Sequence, residues 1–213
     1  MLSARRKFAA TGALLAVVVS TSAGLALAQS DQSAGPVAFD DAPSAMTNQV
    51  TADQLAFPAL RRPQTAADTM PAAVAAQVGN PDVGGKNVAL ARAIKTSAGD
   101  GWVIPGNGSI CLAVPDAAAP ADDPSYGVTC NTVQWAHQHG LSILLLDTRT
   151  GRGDATVVAP DRTSVTLAKA RTQSTSAVAV NADGVASVPV EEGDAVVIRT
   201  QTGGAELPVP GDD

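Results

Sequence analysis

The feature that most constrains the fold is a regular alternation of short apolar runs and turns that begins near residue 155. The runs are rich in Val and Ala, and residues typical of turns interrupt them roughly every 8–12 positions. Two of these turns are Asn181-Ala-Asp-Gly184 and Glu192-Gly-Asp194. Because strands of this length and spacing pair with each other, the pattern predicts an antiparallel meander that closes into a small sandwich or barrel.

A second β-rich region precedes this one. The runs 102–104 and 110–114 are apolar and β-leaning, and Pro105-Gly-Asn-Gly108 between them is a strong turn signal. Residues 131–138 are predicted to form a helical turn. The apolar run from Leu141 to Leu146 is typical of a central strand covered on both faces. We therefore expect one disulfide-bearing β domain over residues 100–202.

Short helices are predicted over residues 51–95, which are rich in Ala and poor in large apolar side chains. Thr51 with Gln54 and Thr65 with Asp68 have the spacing of a capping box, in which each side chain bonds the other's backbone N–H. Such a segment has too little apolar bulk to be stable alone, so it must pack on the β domain. The predicted fold class is therefore α+β, with short N-terminal helices packed on an antiparallel sandwich or barrel-like domain.

Two further helices are predicted within the same segment. Pro71 suits the first turn of a helix that reaches Val78, and Gly79 is placed to cap its end. Asn87 is placed to cap another helix, in which Leu90 and Ile94 share one face.

The first 28 residues have the three parts of a cleavable export signal. Arg5, Arg6 and Lys7 form a basic start, and residues 8–25 carry no charge. Ala28 ends a small-residue cleavage motif, so the mature chain is expected to begin at Gln29. The chain is thus predicted to be secreted or associated with the cell envelope.

The same segment leaves two alternatives open. Its apolar run is nearly long enough for an uncleaved membrane anchor, although Gly, Ser and Thr dilute its hydrophobicity. After cleavage no stable membrane insertion is expected. Arg5-Arg6-Lys7-Phe8 also has the shape of a twin-arginine signal, so general secretion and twin-arginine transport both remain possible routes.

Two flanking segments look unstructured from their composition. Residues 29–50 are rich in Ser, Ala, Asp, Gln and Pro without periodicity, which predicts a disordered tether. Residues 203–213 contain several Gly and Pro and are predicted to be a flexible tail.

Charge and aromatic content exclude several classes of function. The chain has 14 Lys and Arg against 20 Asp and Glu, and three of the basic residues lie in the export signal. The mature chain therefore carries 11 basic and 20 acidic residues, a net charge of −9, which argues against nucleic acid or an anionic membrane as a partner. Few aromatic side chains are present, so stacking surfaces for sugars or single strands are not expected.

The two cysteines, Cys111 and Cys130, are predicted to form one structural disulfide, because an even count in an oxidising compartment favours pairing. The bridge would close a loop of about 20 residues and stabilise the fold by roughly 3 kcal/mol. The C-x-x-C spacing of a catalytic thiol pair is absent.

His137 and His139 are the only histidines and the basis of an alternative, metal-dependent or hydrolytic function. On a strand, His-x-His places two imidazoles on one side, and Asp122 or Asp147 could complete a zinc or copper site. On a helix, residues two apart do not face each other, which weakens that hypothesis. A Ser/His/Asp hydrolase would use Ser109 or Ser142 as nucleophile and His137 as base, but the G-x-S-x-G elbow is absent.

Other motifs have ordinary interpretations beside their functional ones. Arg152-Gly-Asp154 is the tripeptide of some adhesive proteins, but Gly and Asp are also normal in a turn between strands. Arg61 and Arg62 could bind an anion bidentately or pair with the chain's own acids. No nucleotide-binding fingerprint is present, and no cofactor is expected.

Four stretches of the chain carry a family resemblance. Residues 57–68, 102–112, 158–167 and 188–197 resemble uncharacterised secreted proteins of high-GC actinobacteria. In such proteins a V-P-D-G-V phrase opens a β-hairpin region, whereas here Arg162-Thr163 stand in place of Gly-Val. The resemblance spans about 140 residues in pieces and implies an exported, β-rich domain. It implies no activity.

We therefore expect a non-catalytic secreted or cell-wall-associated protein that acts as a protein-binding or scaffold module. Its partner would be an extracellular or cell-wall protein. The alternative is a small secreted hydrolase or metal-dependent enzyme centred on His137 and His139.

Overall fold

A computed structural model describes residues 49–79, 85–120 and 122–211. The predicted signal peptide, its cleavage site at Ala28 and Gln29, and nearly all of the predicted tether lie outside these residues. No helix in the described part is long and apolar enough to cross a membrane. The predicted α+β class is confirmed, with short helices on antiparallel β-sheets.

Eleven strands form within the described residues. They are β1 (Arg92–Thr96), β2 (Gly99–Pro105), β3 (Ser109–Pro115), β4 (Tyr126–Thr132), β5 (Leu141–Asp147), β6 (Arg152–Val158), β7 (Ser164–Lys169), β8 (Ser174–Val178), β9 (Val185–Glu191), β10 (Ala195–Arg199) and β11 (Gly204–Pro208).

The helices of the described residues are short and lie mostly before the first strand. The α-helices are α1 (Pro58–Arg61), α2 (Ala72–Val78) and α3 (Val133–His139). The 3₁₀ helices are Gln54–Ala56, Ala66–Asp68 and Val88–Leu90.

The strands pair into three antiparallel sheets, which are named here by their strand order. The first sheet is β1-β2-β3-β4, the middle sheet is β5-β6-β9, and the third sheet is β11-β10-β7-β8. Strand β4 also contacts β5, and β1 contacts β9, so the first and middle sheets together nearly close into a barrel.

The middle sheet is covered on both faces, as the apolar run in β5 predicted. Leu141 and Ile143 face a first core shared with the first sheet, where Ile110 and Leu112 meet them. Leu144, on the opposite face of β5, enters a second core. The chain therefore forms two sandwiches that share the middle sheet.

The second core lies between the middle and third sheets and is entirely aliphatic. Val157 of β6 packs there with Leu167, Val196 and Ile198 of the third sheet. A third cluster lies on the outer face of the first sheet, where α2 covers Trp102 and Cys111. The order of layers is therefore helices, first sheet, middle sheet and third sheet.

The residues before α2 close one end of the first sandwich. Phe57 and Leu60 are buried in the first core. Gln54 is also buried, and its Nε2 donates to the carbonyls of Gly106 and Ser109 at 2.8 and 2.7 Å. We call residues 51–70 the N-terminal strap.

The predicted helix signals in the strap and after it are confirmed. The capping box of Thr65 and Asp68 has both of its hydrogen bonds, and Thr51 and Gln54 exchange the same pair. Gly79 caps α2.

Three predictions about strand topology and boundaries are wrong. The strands after residue 155 are not a simple meander, because β6 pairs with β9 and the β7–β8 hairpin crosses to the third sheet. The helical segment ends earlier than predicted: the helix at Asn87 is one 3₁₀ turn, and Ile94 lies in β1. Residues 204–208 of the predicted tail form β11, because Leu207 is buried in the second core.

Candidate functional site

The predicted disulfide is present and is structural. Cys111 of β3 and Cys130 of β4 lie directly opposite each other in the register of the first sheet and are bonded. Cys111 is fully buried in the cluster beneath α2. The bond therefore ties two neighbouring strands at the face on which the helix packs.

His137 and His139 lie on α3 and bind two different backbone carbonyls. His137 Nε2 donates to the Asp53 carbonyl at 2.8 Å, and its ring lies 5.4 Å from the Phe57 ring. His139 Nδ1 donates to the Trp135 carbonyl at 3.0 Å and stacks on the Trp135 ring at 4.5 Å. The His137 imidazole therefore bonds α3 to the strap, whereas the His139 imidazole bonds within α3.

The two imidazoles do not converge on a carboxylate. Asp147 lies at the far end of β5 from α3, roughly 20 Å along the strand at about 3.3 Å per residue. Within the described residues, no three side chains of His, Cys, Asp or Glu are placed to hold a metal ion together. Ser109 is buried at the start of β3, and its backbone carbonyl accepts a hydrogen bond from Gln54 Nε2.

Arg62 binds an acid of the chain itself rather than presenting its guanidinium to solvent. It donates two hydrogen bonds to Asp68, at 2.8 and 2.6 Å, and one to Asp183 at 3.2 Å. It also donates to the Ala93 carbonyl at 2.7 Å. Arg62 therefore joins the strap to β1 and to the turn before β9.

Asp68 is the centre of this network. Its side chain is 1 % exposed and accepts five hydrogen bonds, two from Arg62, two from Thr65 and one from the Ala93 amide. The Arg62 guanidinium, with help from the Thr65 and Ala93 amides, holds the pKa of this carboxyl well below its usual range. The carboxylate is thus charged and fully bonded, and it is a structural group.

The neighbouring Arg61 makes a comparable pair in a different environment. It binds Asp161 through both terminal nitrogens at 2.6 and 2.7 Å, but the two side chains are 46 % and 48 % exposed. This pair lowers the pKa of Asp161, and water screens it. Both arginines of the predicted anion-binding pair are therefore satisfied by aspartates of the chain.

Arg152-Gly-Asp154 lies inside a strand and not in a turn. The triplet begins β6 and pairs with β5 on one side and β9 on the other. A Cβ at Gly153 would lie 1.9 Å from the Leu145 carbonyl oxygen, so only glycine allows the strands to approach this closely. An adhesive triplet needs an exposed loop, which this position does not provide.

The triplet lines a shallow groove at the end of the first sandwich opposite the strap. The groove measures about 270 Å³, and Asp116, Asp147, Asp154 and Arg152 surround the side chain of Leu145. Asp116 accepts from the Ala118 amide at 2.9 Å, and Asp147 accepts from a backbone amide of its own turn. These carboxylates cap loops, which explains their position without a ligand.

The strand β8 has one backbone edge with which no other strand of the described residues pairs. It pairs with β7 on one side and is the last strand of the third sheet. Its residues Ser174 to Ala177 are all exposed, and Val178 is half-buried. An edge strand presents unpaired N–H and C=O groups to which another extended chain can bond.

Proteins normally protect such edges with charged residues, proline or a covering element. β8 has the sequence Ser-Thr-Ser-Ala-Val, with no charge and no proline. The opposite edge of the same sheet, β11, contains Glu206 and Pro208 and contacts α3. β8 is therefore the unprotected edge of the third sheet.

The alternation of apolar runs and turns after residue 155 predicted strands in this region but did not identify any of them as an edge. The available signal was residues 174–177, which have strand-compatible side chains but no alternating apolar face. A strand without a buried face on either side belongs at the margin of a sheet.

No protein-family model, curated protein or solved structure matches the chain.

Proposed function

We propose that the mature chain acts outside the cytoplasm as a non-catalytic protein-binding or scaffold module, secreted or associated with the cell wall. The partner is an extracellular or cell-wall protein, and β8 is the edge to which it binds. The resemblance to secreted actinobacterial proteins is consistent with this compartment.

The single observation that carries the proposal is the contrast between the two edges of the third sheet. β11 has the charge and proline that discourage strand addition, whereas β8 has neither and is solvent-exposed from Ser174 to Ala177. Strand addition to an exposed edge is a common mode of peptide recognition, in which main-chain hydrogen bonds supply the affinity.

The polar side chains of the described residues support a non-catalytic role. The imidazoles donate hydrogen bonds to backbone carbonyls, and the arginines of the strap donate to aspartates. The alternative, an enzyme centred on His137 and His139, would require both imidazoles to leave these carbonyls.

Export is supported by the basic, apolar and small-residue parts of residues 1–28. The disulfide is compatible with an oxidising compartment. Intact-mass measurement of the protein from culture medium tests this part of the proposal: a chain that begins at Gln29 is expected, and one that retains the first 28 residues would contradict it.

Affinity capture with three baits tests the binding function. The baits are the mature chain, its Ser176→Lys variant and its Gln201→Lys variant. A lysine at Ser176 places a charge on the core-facing side of the edge, which blocks strand addition. Gln201 is exposed in the β10–β11 turn and provides the same change of charge elsewhere.

We expect one protein to be captured by the first and third baits and lost with Ser176→Lys. Capture that is equal for all three baits would contradict binding at β8. A His137→Ala/His139→Ala variant that remains folded should retain the partner. A hydrolytic activity that is present in the mature chain and absent from this double variant would favour the enzymatic alternative.

A further inference from the structure

We infer that the occupant of β8 is an extended segment of another protein, with alternating β-branched apolar side chains and Lys or Arg at its ends, and not a second copy of this chain. This inference rests on the proposed function and specifies the chemistry of its partner. It follows from the side chains around β8, from charge and from the length of the edge.

The side chains of β8 show which part of the edge is free. Ser176 lies opposite Leu167, whose side chain is buried in the second core, so Ser176 is on the core-facing side of the third sheet. It is nevertheless exposed. β8 therefore extends past the region that the middle sheet covers, and among the described residues Ser176 is open to solvent at that position.

The rim beside β8 is apolar. Val178, Val180 and Val188 are half-buried and pack against the second core. Val188 belongs to β9, the edge strand of the middle sheet, and β9 contacts β8. A partner strand that places an apolar side chain on its core-facing side removes part of this valine surface from water, at about 25 cal/mol per Å². The outward positions of the partner face solvent, so an alternation of apolar and polar residues is favoured.

The charge of the chain favours basic ends on the partner. The full sequence carries a net charge of −6, and removal of the three basic residues at its start makes the mature chain more acidic. The edge itself is neutral, and the two cations beside its start, Lys169 opposite Ser174 and Arg171 in the β7–β8 turn, are paired with Asp194 and Glu191. Long-range attraction by an acidic protein raises the association rate of a basic segment, and salt weakens the effect.

A second copy of the chain is a poorer occupant. Two copies of β8 would contribute five residues each, so a stable dimer with roughly 20–30 residues on each side would also need contacts between other surfaces of the two chains. Two copies also carry the same negative net charge, which opposes their association. A short, preformed edge of this kind suits a peptide segment.

Binding of three synthetic peptides to the mature chain tests the inference, measured by fluorescence anisotropy at low and physiological salt. The first peptide alternates Val and Thr with Lys at both ends. The second has Glu in place of Lys, and the third keeps Lys but has Pro at its centre. We expect the first to bind at least about tenfold more tightly than the other two at low salt. The advantage over the Glu peptide should shrink as salt is raised.

The same titrations with the Ser176→Lys and Gln201→Lys variants place the binding site. Ser176→Lys should weaken the first peptide by about tenfold or more, and Gln201→Lys should leave it within about twofold of the unmodified chain. Circular dichroism and urea unfolding show whether both variants are folded. Equal affinity for the Lys and Glu peptides would overturn the charge of the proposed partner.

The outcomes separate this inference from the proposed function. Failure of every peptide to bind, together with a captured protein that is sensitive to Ser176→Lys, would overturn the inference and retain the function. Peptide binding that Ser176→Lys leaves unchanged would overturn both. A dimer in sedimentation velocity that Ser176→Lys dissociates would make a second copy the occupant and overturn the inference.

Discussion

Within the described residues, each of the two sandwiches contains one buried carboxylate, and the two are bonded in different ways. Asp68 in the first sandwich accepts from a guanidinium and joins segments that are far apart in the sequence. Asp194 in the second sandwich is 2 % exposed and accepts from the amides of Ala170 and Glu191 at 3.1 and 3.0 Å, with Lys169 at 3.5 Å.

The difference shows how the two halves are stabilised. The first sandwich carries short, Ala-rich helices with little apolar bulk, which an ion-pair network and the buried Gln54 bond to it, and a disulfide joins two of its strands. The second sandwich relies on aliphatic packing and on a carboxylate that caps local turns. Its third sheet ends at β8, the exposed edge at which we propose that a partner binds.

The largest test of this comparison is to neutralise each buried carboxylate separately. Asp68→Asn leaves Arg62 with Asp183 as its remaining acid and removes the negative charge that acts on the buried Arg92, which should reduce the free energy of unfolding by roughly 3–5 kcal/mol. Asp194→Asn disturbs hydrogen bonds to neutral amides and should reduce it by roughly 1–3 kcal/mol. Urea unfolding measures both, and equal losses would contradict the assigned difference.

Removal of the disulfide should have the next largest effect, and it should be strongest in the first sandwich. A Cys111→Ala/Cys130→Ala variant is expected to lose about 2–4 kcal/mol, because the unfolded chain regains the freedom of the closed loop. Hydrogen exchange should accelerate more in β3 and β4 than in β7 and β10. A uniform acceleration in all three sheets would show that the bond does not act locally. Thiol titration of the denatured, unreduced wild-type chain should find no free thiol.

Acid should weaken the Asp68 network at a defined pH. Since Arg62 lowers the pKa of Asp68 in the folded chain, the unfolded chain takes up this proton first. The stabilisation is complete above the ordinary value of 3.8 and is lost as the pH falls below it, by at most about 1.4 kcal/mol per pH unit. Urea unfolding of the wild type and Asp68→Asn between pH 5 and pH 3 should show their stabilities converging. A constant gap would contradict this origin of the stability.

The smallest expected effect is an increase in stability from a substitution at the margin of the second sandwich. Arg162, in the turn between β6 and β7, has a φ of 57°, a left-handed conformation that favours glycine. Arg162→Gly relieves this strain and should stabilise the chain by about 0.5–1 kcal/mol, measured by thermal unfolding. Arg162→Ala removes the same charge but keeps a Cβ, so it should give no gain. An equal increase in stability for Arg162→Ala would show that loss of the charge, and not relief of backbone strain, is the cause.

Local structure was predictable from the sequence where neighbouring residues determine it. The capping box of Thr65 and Asp68, the turn at Asn181 and the doubly covered strand at Leu141 depend on short-range patterns. β11 was missed because its Gly and Pro residues suggested a loose tail, although Ala205, Leu207 and Val209 alternate as in a strand.

The candidate site depends on pairing between distant segments, which the sequence did not reveal. A strand is an edge or a centre according to its partners, and β8 became an edge because β7 crosses to β10 while β6 pairs with β9. The contact of Arg62 with Asp183 spans 121 residues and has no local signature. Two isolated histidines suggested chemistry, whereas their carbonyl partners are evident only in the folded chain.

The strap also sets the order in which the chain can complete its fold. Ala59 and Arg62, near the start of the described residues, bond to Asp183, and the Asp161 amide bonds to the Ala56 carbonyl at 3.2 Å. During synthesis the strap is made well before Asp161 and Asp183, the residues to which it bonds. The first core therefore cannot close until residue 183 is available, so the strap remains undocked while the first eight strands are synthesised.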